Sequence, residues 1–91
     1  EVTSMPFRVE LSKSAFKLLK NLPLATRKRI LSKLLLLKEN PIPRGALKLR
    51  GEVDVYMVRV GDYRVLYKII WREKVILIFK IAHRRHVYGG M

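Results

Sequence analysis

The feature that most constrains the fold is a change in the spacing of apolar residues at the stretch Asn40-Pro-Ile-Pro-Arg-Gly45. From Ala15 up to this stretch apolar residues recur at helical spacing, and after it they alternate with a period of 2. Its two prolines fix φ and remove backbone donors, so no helix continues through them. The sequence therefore predicts helices first and consecutive β-hairpins afterwards, an order typical of an α+β domain with an antiparallel sheet.

One strand and two helices are predicted ahead of this stretch. Phe7 to Leu11 alternates apolar and polar residues, which indicates a strand with one buried face. Ser12 suits the N-cap of a first helix, which ends at Asn21-Leu22-Pro23. A second helix is predicted from Leu24 to Glu39. The two helices are expected to form a hairpin that packs on the sheet.

Four strand candidates follow, at residues 46–49, 53–60, 63–71 and 74–82. Gly61-Asp62 is predicted to form the turn between the second and third of them, which places Arg59 directly opposite Arg64. Like charges in that position destabilise a sheet. The pair therefore requires a functional explanation.

Composition limits the classes of protein to consider. The 91 residues fit one domain over residues 1–91 and contain no cysteine, so neither a disulfide framework nor a thiolate site is available. Apolar runs such as Leu34 to Leu37 are too short for a membrane span, and nothing at the N-terminus resembles a signal peptide. We therefore expect a cytoplasmic protein with no membrane partner.

The charge of the chain is strongly one-sided. Twenty Lys and Arg residues stand against seven Asp and Glu, a formal net charge of +13. So much positive charge on a small domain repels itself unless a polyanion neutralises it, and nucleic acid is the commonest such partner.

A period of 2 divides the strands into two faces. The predicted core face consists of Tyr56, Val58, Val60, Tyr63, Val65, Tyr67, Ile69, Trp71, Val75, Leu77, Phe79 and Ile81. The opposite face consists of Val55, Met57, Arg59, Arg64, Leu66, Lys68, Ile76, Ile78, Lys80, Ala82 and Arg84. An ordinary solvated face mixes both signs of charge, whereas the charges of this second face are all positive. We therefore predict a polyanion-binding face whose apolar floor also accepts a nucleotide base.

The last strand is predicted to continue into the tail His83-Arg84-Arg85-His86-Val87-Tyr88. Imidazole titrates near neutral pH and is a candidate acid or base, although a basic tail that only grips phosphate fits the same residues. Two histidines and few carboxylates make a poor metal site, so we expect no metal.

The stretches KLRGEVDVYMVRVGDYRVLYKI and KVILIFKIAHRRHVY resemble the RelE/ParE superfamily of toxins from type II toxin-antitoxin systems. The similarity extends back through the helical hairpin and the opening strand. It implies a RelE-like toxin domain over residues 1–91, with two N-terminal helices packed on a small antiparallel sheet.

In the RelE-like branch, which we favour, the resemblance implies a ribosome-dependent endoribonuclease, or mRNA interferase, that inhibits translation. Such an enzyme cleaves mRNA in the ribosomal A site through attack of a ribose 2′-hydroxyl on its own phosphodiester, without a cofactor. The implied partners are the ribosome, mRNA and an acidic, RelB-like antitoxin.

The resemblance also assigns candidate site residues. Arg64 is the first candidate for stabilising the charged phosphate, with Arg59 beside it. The candidates at the C-terminal end are Arg84 or Arg85 for phosphate, Tyr88 for proton transfer or base stacking, and His83 for general acid or base function. Lys48, Arg50, Lys68 and Lys80 are predicted to bind RNA.

One position departs from the family pattern. Well-known RelE enzymes have a lysine where this chain has Met57, so one presumed proton acceptor is missing. Arginine is a poor general base because its pKa stays above about 12. A ParE-like inhibitor of DNA gyrase and a non-catalytic RNA-binding homologue therefore remain alternatives.

Overall fold

The structure, a computed structural model, describes residues 6–87. The elements in chain order are β1 (Arg8–Leu11), α1 (Lys13–Lys20), α2 (Leu24–Glu39), β2 (Leu47–Lys48), β3 (Val55–Val60), β4 (Tyr63–Ile70), β5 (Val75–His83) and α3 (Arg84–Val87). The strands form one five-stranded sheet in the order β1-β5-β4-β3-β2. The predicted α+β class, with two N-terminal helices on a small sheet, is confirmed.

Both predicted helices form as expected. The Ser12 hydroxyl caps α1 by accepting a hydrogen bond from the Ala15 backbone N–H at 3.2 Å. The corner between α1 and α2 is held by the Arg27 guanidinium, which donates to the carbonyl oxygens of Lys20 and Leu22 at 3.2 and 3.0 Å. The cation of Arg27 therefore has a structural role.

The sheet is antiparallel from β2 to β5, whereas β1 pairs with β5 in parallel. A parallel pair requires a long connection, and the chain between β1 and β5 provides one because it contains both helices and three strands. The fully antiparallel sheet that the hairpin pattern predicts is therefore limited to β2–β5.

A β-bulge interrupts the pairing of β4 with β5. Leu66 lies opposite Lys80 and Tyr67 lies opposite Ile78, so Phe79 is an extra residue on β5. The Ser12 hydroxyl donates to the Phe79 carbonyl oxygen at 3.3 Å, and the Ser12 backbone N–H donates to the Ile78 carbonyl oxygen at 2.9 Å. The end of β1 therefore supports the bulge.

The bulge corrects the predicted faces of β5. Ile76 and Ile78 belong to the core between sheet and helices, while Leu77 and Phe79 lie towards the opposite face. Val75 pairs with Ile70, next to the core pair of Ile69 and Ile76, so the alternation places Val75 on the open side of the sheet. The predictions for 75–79 were wrong because a strict period of 2 cannot be carried through an inserted residue.

The core lies between the sheet and the two helices, and α2 contributes Ile30, Leu34 and Leu37 to it. Tyr67 is fully buried there, and its hydroxyl donates to the Pro41 carbonyl oxygen at 2.6 Å. Burial, with a smaller effect of the neighbouring Tyr56, raises the pKa of Tyr67. Tyr67 therefore pins the segment that follows α2 to the sheet.

Trp71 does not extend β4 into the core as predicted. It lies in the turn between β4 and β5, 48% exposed, with its ring edge-on to the Phe7 ring at a centroid distance of 5.5 Å. Within the described residues, no helix has both the length and the apolar character needed to cross a bilayer.

Candidate nucleic-acid interface

The face of the sheet turned away from α1 and α2, here called the open face, presents side chains in rows that follow the strand register. One row contains Arg59, Arg64 and Ala82. The next row contains Met57, Leu66 and Lys80, and the row after it Val55, Lys68 and Leu77. Successive rows are two residues apart along the strands, which corresponds to about 7 Å.

The predicted pairing of Arg59 with Arg64 across the hairpin is confirmed. Arg64 is only 8% exposed, and its Nη1 donates to the carbonyl oxygens of Tyr63 and Gly61 at 3.2 and 3.4 Å. Arg59 is exposed. Within residues 6–87 neither guanidinium forms an ion pair, so the pair presents positive charge with one member held by the turn.

The C-terminal arginines do not continue the last strand, because β5 ends at His83 and the short helix α3 begins at Arg84. The Arg84 backbone N–H donates to the Asp62 carbonyl oxygen at 2.7 Å, and its exposed Nε lies 3.9 Å from an Asp62 carboxylate oxygen. Arg84 is therefore attached to the turn that also holds Arg64. We call Arg59, Arg64 and Arg84 the arginine cluster.

His83 lies on the other face of the sheet. It pairs with Tyr63, and the two rings meet edge to face with centroids 5.4 Å apart. Its Nδ1 accepts a hydrogen bond from the Arg85 backbone N–H at 3.2 Å. The structure therefore does not bring His83 together with Arg59 and Arg64, because adjacent residues of β5 alternate between faces. Tyr88 lies outside the described residues.

The four predicted RNA-binding residues are not all on one face. Lys68 and Lys80 lie on the open face, in the two rows next to the arginines. Arg50 is exposed in the turn after β2. Lys48 pairs with Tyr56, a residue packed against the core, so Lys48 belongs to the opposite side of the sheet. The family motif did not predict on which face of the sheet Lys48 lies. The register of the short edge strand β2 places Lys48 on the face opposite to the arginine cluster.

Met57, the residue in place of the family lysine, is an apolar contact of the open face. It is 7% exposed and packs with Leu66 and Ala82, with Leu49 beside them. This small apolar cluster separates the arginine row from the next part of the face.

Beyond this cluster lies a groove of about 510 Å³, here called the open-face groove. Its lining residues are Leu49, Glu52, Val55, Leu66, Lys68, Leu77, Phe79 and Lys80. The alternation of apolar residues assigned Leu77 and Phe79 to the core face, whereas the bulge places them on the open face. No residue type at the bulge indicates its position in the sequence. Of the three residues predicted to form the apolar floor, only Leu66 lines the groove, whereas Ile76 and Ile78 belong to the core.

The arrangement offers cations and almost no proton acceptors. Among residues 6–87, no three His, Asp or Glu side chains cluster as a metal site requires. On the open face Glu10 of β1 is paired with Arg8 at 2.9 Å, and the two described histidines are not in the rows beside the arginines. The site is thus suited to binding phosphate and stabilising charge that develops on it.

Comparisons with known proteins identify the family of the chain. Residues 9–88 match the family model described as ParE toxin of type II toxin-antitoxin system, parDE. A protein of Methanocaldococcus jannaschii named "Putative toxin RelE1" is 39% identical over 87 residues, which cover 92% of this chain and 97% of that protein.

Solved structures of RelE toxins share the fold. The archaeal RelE-RelB complex from Pyrococcus horikoshii contains a chain that is 39% identical with a TM-score of 0.76, covering 88% of this chain and 97% of that one. The corresponding chain of the intact E. coli RelBE toxin-antitoxin complex is 25% identical with a TM-score of 0.76, covering 85% and 95%. On the extent of the family match and the similarity to the RelE1 relative, the chain belongs to the ParE/RelE family of type II toxin-antitoxin toxins.

Proposed function

We propose that this toxin is a ribosome-dependent mRNA endonuclease that cleaves message in the A site and so inhibits translation. The observation that carries the proposal is the Arg59–Arg64 pair, which sets two arginines directly opposite each other on the open face, neither of them ion-paired within residues 6–87. Such a pair destabilises the free sheet and gains from a bound phosphate, which accepts hydrogen bonds from both.

The chemistry follows from these groups. The 2′-oxygen of a ribose attacks the adjacent phosphorus, the P–O5′ bond breaks, and the products carry a 2′,3′-cyclic phosphate and a 5′-hydroxyl. Negative charge grows on the phosphoryl oxygens during the attack. Arg64, held by the Tyr63 and Gly61 carbonyl oxygens, is a preorganised donor for that charge, and Arg59 adds further positive charge. Arg84, which lies beside the Asp62 carboxylate of the same turn, is a further candidate donor.

Proton transfer is not assigned to the arginines, since a guanidinium stays protonated. The 2′-hydroxyl must lose a proton and the departing 5′-oxygen must gain one. In this proposal Tyr88 and solvent in the ribosomal complex carry these protons. The arginines position the phosphate and stabilise its charge.

We further propose that an acidic antitoxin neutralises the chain. The net charge of +13 favours an acidic partner, and structurally similar chains include members of RelE-RelB complexes. Purification of the toxin from its native source is expected to yield a short acidic protein in stoichiometric amount. Recovery of the toxin alone at native expression levels would contradict this.

Programmed ribosomes provide the test of the nuclease proposal. Ribosomes with a defined codon in the A site are expected to yield cleaved message with the wild-type protein and none with Arg64→Ala. Arg72→Ala is the matched control, since Arg72 is exposed in the turn at the far end of β4 and should cleave as the wild type does. Equal cleavage by Arg64→Ala would remove this residue from the mechanism.

A second candidate function is inhibition of DNA gyrase, the activity of the ParE-like branch. It is favoured by the description of the matched family as ParE toxin and by Met57, which removes the usual lysine. Gyrase supercoiling would then be lost at protein concentrations that leave translation intact. Loss of translation at lower concentrations than supercoiling would dismiss this candidate.

A further inference from the structure

We propose that the open-face groove binds one nucleobase of single-stranded RNA, with the base stacked on Phe79 and its ribose-phosphate held by Lys68 and Lys80. This inference rests on the proposed function, because RNA must reach the open face. It deepens that function by assigning a base-binding site apart from the arginine cluster.

The groove has the size and the lining that a base requires. Its volume is about 510 Å³, and its floor is formed by the buried side chains of Val55 and Leu66. Leu77 and Leu49 are only partly covered and complete the apolar lining. An apolar recess of this kind, open to solvent on a charged face, favours a flat aromatic ligand over a hydrated ion.

The bulge aims an aromatic ring at this recess. Phe79 has no partner on β4 and is 37% exposed, while its neighbour Lys80 lines the same groove. In a regular strand these adjacent residues would point to opposite faces, whereas a bulge directs both towards one side. The two hydrogen bonds from Ser12 fix the backbone there, so the ring is presented on a rigid element.

The charges around the groove select the class of ligand. Lys68 and Lys80 line it, against the single carboxylate of Glu52. Aromatic stacking combined with flanking cations is the usual way in which proteins hold single-stranded RNA. The sheet ends at the short edge strands β1 and β2, so an acidic peptide added as a strand would pair along an edge of the sheet, whereas the groove lies on its face.

The groove is also placed where a neighbouring nucleotide would lie. The row of Leu66 and Lys80 is about 7 Å from the arginine row, and the row of Lys68 and Leu77 is the same distance further on. A strand whose phosphate contacts Arg64 therefore carries an adjacent base over the groove. Met57 lies between the two sites, packed against Leu66 of the groove floor, and keeps the connecting surface apolar.

The test measures binding of a short single-stranded oligoribonucleotide by fluorescence anisotropy, without ribosomes. Phe79→Ala is expected to weaken binding at least about fivefold, the lower limit for loss of one base stack, and Phe79→Trp is expected to retain it. The matched control is Phe16→Ala, which removes a 56%-exposed ring from α1 and should bind as the wild type does. Thermal unfolding of each variant verifies that it is folded.

Abasic substitutions in the oligonucleotide identify the base. One abasic position should weaken wild-type binding and remove the difference between wild type and Phe79→Ala. Equal binding of all oligonucleotides by wild type and folded Phe79→Ala would overturn the site. So would an acidic amphipathic peptide that binds more weakly to Phe79→Ala while RNA binding is unchanged, because the groove would then serve a protein partner.

This experiment separates the site from the proposed nuclease function. Base-dependent binding at Phe79 in a protein that cuts no ribosomal message would retain the site and reject the nuclease. Cleavage that depends on Arg64, together with RNA binding that is indifferent to Phe79, would retain the nuclease and reject the site.

Discussion

The two faces of the sheet differ in the charge and the burial of their side chains. The face against α1 and α2 buries a core of apolar side chains, and within it the fully buried Tyr67 hydroxyl donates to the Pro41 carbonyl oxygen at 2.6 Å. The open face sets Arg59 against Arg64 and leaves Lys68 exposed. The first face buries apolar surface, whereas the second retains one unfavourable pair of like charges, which we expect a bound phosphate to relieve.

This difference indicates how stability and function are distributed in the molecule. Truncation of side chains on the helix-packed face should lower the stability of the fold. Removal of charges on the open face should weaken the binding and cleavage of RNA. Because adjacent residues of a strand alternate between faces, Leu77 and Ile78 of β5 belong to different faces and can be compared directly.

The largest effect on stability is expected at Ile78. Ile78→Ala should lower the free energy of unfolding by about 2–5 kcal/mol, because it leaves a cavity in the core. Leu77→Ala, one residue away and only half-buried on the open face, should lower it clearly less. Urea denaturation measures both. A larger loss for Leu77→Ala would show that the two faces of β5 are assigned the wrong way round.

A gain of function is expected from Met57→Lys. A lysine at this position can extend its ammonium along the open face towards the arginine cluster and supply a proton-transfer group, which should raise ribosome-dependent cleavage about tenfold or more. Leu66→Lys is the control, since it disturbs the same apolar cluster at a different position. Equal cleavage rates for Met57→Lys and wild type would show that the methionine is not what limits the reaction.

A smaller effect is expected at Tyr67. Tyr67→Phe should cost about 1 kcal/mol at neutral pH, because the Pro41 carbonyl oxygen loses its donor. Since burial raises the pKa of Tyr67, the folded state keeps the phenol neutral. The stability due to Tyr67 is complete below the ordinary tyrosine pKa of about 10 and declines above it, where the unfolded chain ionises.

The measurement for Tyr67 is the difference in unfolding free energy between wild type and Tyr67→Phe across alkaline pH. This difference should shrink as the pH rises above about 10, since only the wild type carries the ionising phenol. A difference that stays constant through that range would contradict a buried, neutral phenol.

Much of this structure could be predicted from local patterns. The two helices, the central hairpin and the opposition of Arg59 and Arg64 follow from caps, prolines and alternation, because each depends on residues close in sequence. The parallel pairing of β1 and the bulge at Phe79 depend on contacts between distant segments. A period of 2 contains no information about where such a contact inserts a residue.

The face on which each candidate site residue lies could also be predicted in part. Four basic residues lie on the predicted face: Arg59, Arg64, Lys68 and Lys80. The first three flank the predicted hairpin turn, and Lys80 lies on the C-terminal side of the bulge, where the predicted alternation is correct. His83 and Lys48 do not join them, since the register of β5 and of the edge strand β2 assigns them to the other side. The helix that begins at Arg84 replaces a predicted extension of β5 and attaches that arginine to the hairpin turn.

The central claim is that Arg59 opposite Arg64 lowers the stability of the free protein and serves RNA cleavage. Arg59→Gln tests it most directly, with unfolding free energy at low salt and cleavage by programmed ribosomes measured on the same preparation. We predict a gain of roughly 0.2–1 kcal/mol in stability from relief of the like-charge pair, together with a loss of about a hundredfold in cleavage rate. A variant that is no more stable than wild type and cleaves equally fast would contradict the claim.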